Sequence, residues 1–547
     1  MNKKIKFILT GLGLSIVAVV VFAASKNDIY AEIMRSQKLI NDVYKNLIIN
    51  YVDDFDVKAF TNATIEDMLS ELDPYTVFIQ AEDRHDLDLL TTGKYGGVGI
   101  QIGKREDKLT VIAPMDDTPA KRAGIANGDI IVKIDSTFTS KVSLEAASEM
   151  IRGERGTKVK LTIERFGNEE LLEFELIRAD ITVKDVAYAE LINDEVGYIR
   201  LTRFSKNSGP EMRTALNKFV DNKASAFILD LRNNPGGLLG SSIEILEMLI
   251  PKDQLLLTTK GRNKESNKSI YSKREPIIPK DMEIIVLINE GSASASEIVA
   301  GTLQDLDRAV IIGKQSYGKG LVQSVIGLDK DHALKITTAK YYTPSGRLIQ
   351  KPGYVSEEFV ISKTDEDSIF ATVGGRKVKG GGGIKPDFEV EVDYDYPLTY
   401  ECLRKGAFIS FAQIQKNSYS TLAGVKSDKQ IINEFQLYLK EIDLEVITPG
   451  EKALTDTKSK LSKIDSTNTE LIAAFRVIEK FIDNHEDTLF NKEKEKLEEF
   501  LYEEFASVYD GENGRFKEML QYDKTVNEAL IILKNNTVYN GVFAVEN

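Results

Sequence analysis

The sequence predicts a multidomain protein of α/β and α+β class, in which an α/β core and a smaller β-rich module lie between two helical regions. Residues 182–398 alternate strands with helices, and the runs 226–231 and 283–288 are almost continuously apolar. Strands of that composition are covered on both faces, as in layered α/β folds. Residues 92–181 carry short β-rich runs between glycine turns, with one helix near residues 144–151, which is typical of a small sheet domain. A chain of 547 residues is long enough for about three or four domains.

The composition disfavours several classes of function. The chain is 42% hydrophobic and 29% charged, which is ordinary for a folded globular protein. Its net charge of −14 repels phosphate backbones, so we expect no nucleic-acid partner. Cys402 is the one cysteine, and the three histidines, His85, His332 and His485, are far apart in sequence. We therefore expect neither a disulfide framework nor a metal site.

The first 24 residues have the pattern of an export signal. Lys3, Lys4 and Lys6 precede an apolar run over residues 7–24. A basic start, an apolar body and small residues at its end are typical of a secretory signal peptide, and the length is also the lower limit for a membrane-spanning helix. A buried core helix is the remaining alternative. We expect an exported, periplasmic or otherwise extracytoplasmic protein, released or anchored to the cytoplasmic membrane by residues 7–24 and touching the membrane nowhere else.

Residues 25–91 and 399–547 are predicted to be helical regions. Apolar residues recur at helical spacing between Ile33 and Leu72, and Asp73 with Pro74 ends that pattern. Beyond residue 399 the chain is charged and helical, without comparable strands. Its amphipathic runs permit a homo-oligomer or an adaptor contact through residues 399–547.

The first of three notable loops follows the apolar strand that ends at Ile288. Small residues lead to a predicted helix start near Ser294. A hydroxyl at a helix N-terminus is suited to nucleophilic attack, because the free N–H groups and the helix dipole favour developing negative charge. The alternative is a capping pair, since Ser294 and Glu297 fit the S-x-x-E pattern. Taken alone, this loop favours the capping pair.

The second loop places Lys319 between two glycines, with few carboxylates nearby in sequence. Lysine acts as a general base when burial lowers its pKa. Gln323 could orient the amine if a helical turn links the two residues, whereas in an extended strand they would stand roughly 13 Å apart and could not touch. A surface lysine in a glycine loop is the alternative.

The third loop runs from Asp230 to Gly237, where a buried strand ends in a glycine turn. Glycine allows backbone N–H groups to point outward at an oxyanion. A plain strand-to-helix turn is the alternative, and this loop alone favours it. Three such loops at strand ends of one α/β region nevertheless favour a common site.

Together these segments resemble a known family. The order and spacing of DLRNNPGG, NEGSASASE, SYGKGLVQ and, at residues 381–387, GGGIKPD are similar to the carboxyl-terminal processing proteases, the tail-specific serine peptidases of family S41. The resemblance covers roughly residues 30–400. It implies a crotonase- or ClpP-like protease core over residues 182–398, an inserted PDZ domain over residues 92–181, and no metal or organic cofactor.

The resemblance also implies roles for individual residues. Ser294 is expected to be the nucleophile, Lys319 its general base and Gln323 the residue that positions the lysine. The backbone N–H groups of Gly237 and Ala295 are expected to form the oxyanion hole.

Three features leave alternatives open. Ser292 and Ser296 flank the expected nucleophile, and Pro235 stands where the family often has a third glycine. His332 is the rival base, although a charged turn before a strand favours an exposed histidine without a catalytic role.

The implied PDZ domain supplies an expected peptide site. Residues Gly96, Gly97, Val98, Gly99 and Ile100 form a glycine-rich loop leading into a strand, suited to binding a terminal carboxylate while the peptide adds to the strand edge. An unrelated small β-domain is the alternative. Arg152 could contact a peptide carboxylate or the core, but an ordinary surface arginine is favoured.

The sequence therefore predicts a serine endopeptidase that cleaves protein or peptide substrates recognised through free, apolar C-termini. The alternative is an inactive secreted scaffold that carries a PDZ domain on a protease-like fold. Intact Ser294, Lys319 and Gln323 argue against it, because a scaffold has no need of all three.

Overall fold

The structure is a computed structural model, and it describes residues 29–80, 91–105, 108–165, 168, 170–355, 368–392, 395–444, 446, 449–463, 468–483 and 486–544. The export signal expected at residues 1–24 lies outside the described residues. Within them, no helix has both the length and the apolar character that crossing a membrane requires.

The described residues 29–80 of the N-terminal region form two helices and one strand. Its elements are α1 (residues 29–50), α2 (Val57–Ser70) and β1 (Val77–Ile79). Asp56 begins α2 by accepting hydrogen bonds from the N–H groups of Lys58 and Ala59, as acidic N-cap residues do. The helical pattern ends near Asp73 and Pro74 as expected. The prediction of a helical region missed β1, which follows that point and is too short to show alternation in the sequence.

The β-rich module contains seven strands that form one six-stranded sheet and half of a small ribbon. Its elements are β2 (Lys94–Gly97), β3 (Ile100–Arg105), β4 (Lys108–Pro114), α3 (Pro119–Ala123), β5 (Ile130–Ile134), β6 (Thr137–Phe138), α4 (Leu144–Ile151), β7 (Lys158–Glu164) and β8 (Leu172–Ile177). The sheet order is β3-β4-β5-β7-β8, with β6 beside β5. Strand β3 is therefore an edge strand, and α4 packs beside it.

In its described residues, the α/β core has two large sheets and a small pair of strands, β19 (Ile369–Ala371) and β20 (Lys377–Lys379). Its elements are β9 (Ala179–Thr182), β10 (Val186–Ile192), β11 (Val196–Leu201), α5 (Ser208–Asp221), β12 (Ala226–Asp230), α6 (Leu239–Leu249), β13 (Leu255–Gly261), β14 (Lys268–Tyr271), β15 (Glu283–Ile288), α7 (Ala295–Asp305), β16 (Val310–Gly313), β17 (Leu321–Gly327), β18 (Ala333–Tyr342), β19 (Ile369–Ala371), β20 (Lys377–Lys379) and β21 (Phe388–Glu389). The main sheet has the order β10-β11-β12-β15-β16-β21 and is parallel from β11 onward.

The second sheet joins distant parts of the chain. Its order is β1-β18-β13-β14, and β17 also pairs with β18. Because β1 precedes the β-rich module, and β18 follows it, the chain enters the core, leaves to form the module, and returns. The ribbon of β2 and β9 lies at the two points where the chain crosses between them.

The C-terminal region is helical in its described parts, as expected. Its helices are α8 (Pro397–Lys405), α9 (Ala407–Gln415), α10 (Leu422–Ser427), α11 (Ile431–Glu441), α12 (Pro449–Ser462), α13 (Thr469–Asp483), α14 (Glu486–Tyr522), α15 (Lys524–Lys534) and α16 (Asn536–Gly541). Helix α14 is kinked at Gly511, which has a positive φ.

Both faces of the main sheet are covered, which explains the apolar runs of its strands. Helices α5, α6 and α7 cover one face, and apolar residues of α15 and α16, among them Val526 and Tyr539, cover the other. The Tyr539 hydroxyl also bonds the backbone of Ile284 in β15, at 2.9 Å to its nitrogen. The C-terminal helices are thus part of the core packing.

Candidate active site

The three loops singled out in the sequence meet at one edge of the main sheet. They follow β12, β15 and β16, which are parallel neighbours, so their carboxyl ends lie side by side. Sites in open α/β sheets form at this edge. The arrangement brings Ser294, Lys319 and the turn at Gly236 and Gly237 into one neighbourhood.

Ser294 occupies the residue before α7 in a strained conformation. Its φ of 55° and ψ of −110° lie in a region that non-glycine residues rarely adopt, at a cost of about 1–3 kcal/mol. Of the three clustered hydroxyls it is the one that is not fully buried: those of Ser292 and Ser296 are buried and donate to the carbonyls of Leu231 and Asn234. The geometry therefore favours the central serine.

Glu297 joins the serine loop to the lysine loop. One carboxylate oxygen accepts hydrogen bonds from the N–H groups of Ser294 and Lys319, each at 2.8 Å. The other accepts from the Ser316 hydroxyl at 2.6 Å and from the N–H of Gly318 at 2.7 Å. The side chain is fully buried; burial raises its pKa, while these hydrogen bonds act in the opposite direction. Glu297 thus caps the helix at Ser294, and this capping contact is compatible with a reaction site at the same serine.

Lys319 presents a half-buried amine to this site. Its Nζ donates to Oε1 of Gln323 at 3.0 Å and lies 4.4 Å from the centre of the Tyr75 ring. Burial lowers the pKa of Lys319, and the charge of Lys335 lowers it further. Within the described residues, no ion pair engages this amine, and no direct hydrogen bond joins it to the Ser294 hydroxyl.

The contact between Lys319 and Gln323 corrects the expectation that it needs a helical turn. Gln323 lies in strand β17, yet the two side chains meet. The expected separation of roughly 13 Å is a distance between the backbones of residues 319 and 323 in an extended strand. It did not include the reach of the two long side chains. A register shift at Val322 and Gln323 also distorts the strand here.

Two tyrosines that the sequence analysis missed complete the site. The hydroxyl of the fully buried Tyr341 lies within donating distance of two carbonyl oxygens, that of Lys319 at 2.6 Å and that of Ser294 at 3.1 Å. The Tyr75 carbonyl accepts a hydrogen bond from Nε2 of Gln323 at 2.6 Å. No local pattern marks either tyrosine, because each acts through residues distant in sequence.

The glycine turn lies against the serine. Gly236 has a φ of 96°, and a Cβ there would lie 2.9 Å from Cβ of Ser294 and 2.8 Å from the nitrogen of Ala295. Its N–H is bound by the Asn234 side chain. The N–H groups of Gly237 and Ala295 have no hydrogen-bond acceptor in the described part of the chain. Pro235 is exposed.

Comparisons with known proteins identify the family of this chain. The sequence profile of peptidase family S41 matches residues 195–358. The chain is 37% identical over 372 residues to a carboxy-terminal-processing protease of Bartonella bacilliformis, covering 66% of this chain and 83% of that protein. The chain belongs to peptidase family S41. It is a serine-type, carboxyl-terminal-processing peptidase, and these relatives do not support the alternative of an inactive scaffold.

Further matches cover the regions around the S41 core. Profiles of a PDZ domain and of the C-terminal helical domain of probable PDZ-proteases match residues 96–176 and 398–533. A carboxyl-terminal-processing protease of a Synechocystis strain is 39% identical over 307 residues, 55% of this chain and 71% of that protein. The solved photosystem II D1 C-terminal processing protease is 26% identical, with a TM-score of 0.36 over 63% of this chain and 85% of that one.

The PDZ domain of this S41 peptidase has an open strand edge. Helix α4 borders edge strand β3, as groove recognition of an extended peptide requires. Gly96 and Gly97 lie in β2 and pair with β9, so only Val98, Gly99 and Ile100 of the predicted loop lead directly into the groove. Arg152 lies over the Tyr95 ring, 5.2 Å from its centre, and so packs on the domain itself.

His332 is engaged away from the S41 site. Its Nδ1 lies 2.9 Å from the Asp329 carboxylate, and its ring stacks on Phe78. Among the contacts of the described residues, none links this imidazole to Ser294.

Proposed function

We propose that this S41 peptidase uses Ser294 as nucleophile and Lys319 as general base, and that its PDZ domain selects substrates by a free, apolar C-terminus. The observation that carries the proposal is the environment of Lys319. Its amine is half-buried and held by Gln323. The backbone of Lys319 is joined through Glu297 and Tyr341 to the backbone of Ser294. A lysine without a carboxylate partner is the kind that burial can keep neutral.

The proposed reaction follows from these groups. Neutral Lys319 takes the proton of Ser294, whose oxygen attacks the scissile carbonyl and forms a tetrahedral oxyanion. The free N–H groups of Gly237 and Ala295 stabilise that charge. Protonated Lys319 then gives its proton to the leaving amine, and water hydrolyses the acyl-enzyme. The Lys319–Ser294 hydrogen bond forms when substrate binds, since catalytic hydrogen bonds are often long in free enzymes.

Substrate selection rests on the geometry of the PDZ groove. A peptide added to β3 would place its terminal carboxylate at the N–H groups of Val98, Gly99 and Ile100. Its apolar last residues would lie between β3 and α4, above the buried cluster that includes Val98, Ala147 and Ile151.

The proposed location is outside the cytoplasmic membrane. Its support is the basic and apolar pattern of residues 1–24. Fractionation of cells that produce the full chain, with antibody detection, tests it: recovery from the cytoplasm in unprocessed form would contradict the proposal.

A peptide-cleavage assay tests the function directly. Wild-type protein and the Lys319→Ala variant are incubated with peptides that end in free or amidated apolar residues. We expect wild type to cleave the free-ended peptide at least about tenfold faster than the amidated one, a difference of about 1.4 kcal/mol, and the variant to cleave neither. Equal cleavage of both peptides would contradict tail selection, and an active Lys319→Ala variant would contradict the base.

A further inference from the structure

The segment from Asp73 to Ile79, which precedes the PDZ domain, lies against the catalytic loops of the core. Strand β1 pairs with β18, and Oγ1 of Thr76 accepts a hydrogen bond from the N–H of Thr337 in β18. The Asp73 carboxylate accepts from the N–H groups of Tyr75 and Thr76, at 2.8 and 2.9 Å. The backbone on both sides of Tyr75 is therefore fixed.

Tyr75 makes two contacts with the residues around the amine. Its carbonyl accepts from Nε2 of Gln323 at 2.6 Å, and its ring centre lies 4.4 Å from Nζ of Lys319. A carbonyl can only accept, so it commits the amide nitrogen of Gln323 and leaves the amide oxygen toward Lys319, where it accepts at 3.0 Å. One residue thus fixes the orientation of the amide and covers the amine.

We propose that Tyr75 is a positioning residue for the general base: its carbonyl orients Gln323 and its ring keeps water from the amine of Lys319. This inference rests on the proposed function, in which Lys319 takes the proton of Ser294. It makes the segment upstream of the PDZ domain a component of the reaction site.

Several charged or titratable groups around the amine of Lys319 influence its pKa together with the Tyr75 ring. Lys335 in β18, Tyr317 and Glu297 in the core, and Asp73 beside Tyr75 act on it electrostatically, and Lys351 lies over the Tyr317 ring. Burial is the largest influence on the pKa of Lys319 and lowers it. The Tyr75 hydroxyl lies 3.4 Å from that of Tyr317, and burial raises its pKa, so it stays neutral.

The test is the pH dependence of acylation by a fluorophosphonate probe. In Tyr75→Ala, water reaches the amine, so we expect the apparent pKa of the reaction to rise by about one unit or more and labelling at pH 7 to slow roughly tenfold, recovering at higher pH. Tyr75→Phe keeps the ring and the carbonyl and should retain the wild-type profile. If Tyr75→Ala does not fold, Tyr75→Val also uncovers the amine and gives the same readout.

A matched control separates positioning from general loosening. Phe78→Leu weakens the same segment at its stack on His332, away from the amine, and should slow labelling without moving the profile. A Tyr75→Ala profile like that of wild type, a uniform slowing at every pH, or an equal shift in Phe78→Leu would overturn the inference. Failure of the proposed function looks different: Lys319→Ala would then label at the wild-type rate.

Discussion

Among single residues, Glu297 joins the two loops of the candidate site. Its carboxylate receives four donors from two loops, including the N–H groups of the proposed nucleophile and base. Because the Ser294 N–H is bound there, it is not available to an oxyanion, and the proposal assigns that role to the N–H groups of Gly237 and Ala295. The strained backbone of Ser294 is held in part by this same contact.

Replacing Glu297 with glutamine should therefore reduce activity and stability together. In glutamine, an amide nitrogen replaces one carboxylate oxygen, so two hydrogen-bond donors would face another donor and lose their acceptor. We expect this to cost about 2–5 kcal/mol of unfolding free energy and to lower kcat roughly 10- to 100-fold. Urea unfolding and steady-state kinetics measure the two effects.

Glu493→Gln is the matched control for that variant. Its buried carboxylate accepts from the N–H groups of Leu398 and Thr399 and from the Thr399 hydroxyl, in the C-terminal region. This variant should lose stability and keep kcat. Equal kcat losses in the two variants would show that Glu297 acts only through overall stability.

Gln323 is the proposed positioning residue for the base. If Lys319 is the base as proposed, it cannot accept the Ser294 proton when protonated. We therefore expect activity to fall as pH falls through the pKa of Lys319, which burial holds below the ordinary lysine value. Gln323→Glu places a negative charge beside Nζ and removes the donor to Tyr75, which raises the pKa of Lys319. We expect the kcat profile to move to higher pH, by about one unit or more; an unchanged or acid-shifted profile would contradict this role.

At the scale of elements, the turn between β12 and α6 needs glycine for two separate reasons. Gly236 has a positive φ and touches the serine loop, and Gly237 has a φ of 148° and lies against the carbonyl of Phe204. The sequence analysis named Gly237, for its backbone N–H, but did not name Gly236. The turn therefore fixes the spacing between Gly237, a proposed oxyanion donor, and Ser294.

Gly236→Ala should abolish activity while the protein stays folded. The added Cβ would lie 2.6 Å from the Ala293 carbonyl oxygen, and the left-handed backbone adds about 1–2 kcal/mol of strain. Gly240→Ala is the control, because a Cβ there meets nothing within 4 Å and α6 gains about 0.5–1 kcal/mol from alanine. Peptide cleavage and thermal unfolding check both variants; full activity in Gly236→Ala would contradict this account.

The sequence predicted the elements that carry local patterns. Buried strands, glycine turns and the S-x-x-E pair were visible as short motifs. The helix start at Ser294 and the PDZ helix at Leu144–Ile151 therefore lie where the sequence predicts them. Tyr75 could not be found in this way, because it is 248 residues from its partner Gln323. Strand β1 was missed because three residues are too few to show alternation.

In the whole molecule, the C-terminal region is attached to the loop that runs from Asp230 to Gly237. Asp523 begins α15 and accepts two hydrogen bonds from Arg232, at 2.7 and 3.1 Å. Arg232 in turn pairs with the fully buried Asp230 at the end of β12, beside Arg200. These two arginines hold the pKa of the Asp230 carboxyl well below its usual range despite its burial. The start of the turn is therefore fixed from outside the protease core.

Asp523→Asn tests that attachment. Asparagine keeps the N-cap but loses the charge that faces Arg232, so we expect a loss of about 1–3 kcal/mol in unfolding free energy. Asp56→Asn is the control, since Asp56 caps α2 through the same kind of contact and should change stability by only a few tenths of a kcal/mol. Chemical denaturation of both variants measures the difference; equal effects would contradict the ion-pair contribution.

The hypothesis of oligomer or adaptor contacts through residues 399–547 stays a prediction. Because α15 and α16 cover one face of the main sheet, truncation near residue 399 would expose buried apolar surface and could cause association by itself. Sedimentation of the intact chain is the appropriate test: a single species at monomer mass over a wide concentration range would contradict the oligomer.

The central claim is that a neutral Lys319 activates Ser294. The most direct measurement is the rate of fluorophosphonate labelling at pH 7, with the labelled residue identified by peptide mass spectrometry, in wild type, Lys319→Ala and His332→Ala. We predict labelling at Ser294 in wild type and His332→Ala, and a rate about 10²–10⁴-fold lower in Lys319→Ala. Labelling of another residue, or a wild-type rate in Lys319→Ala, would contradict the account.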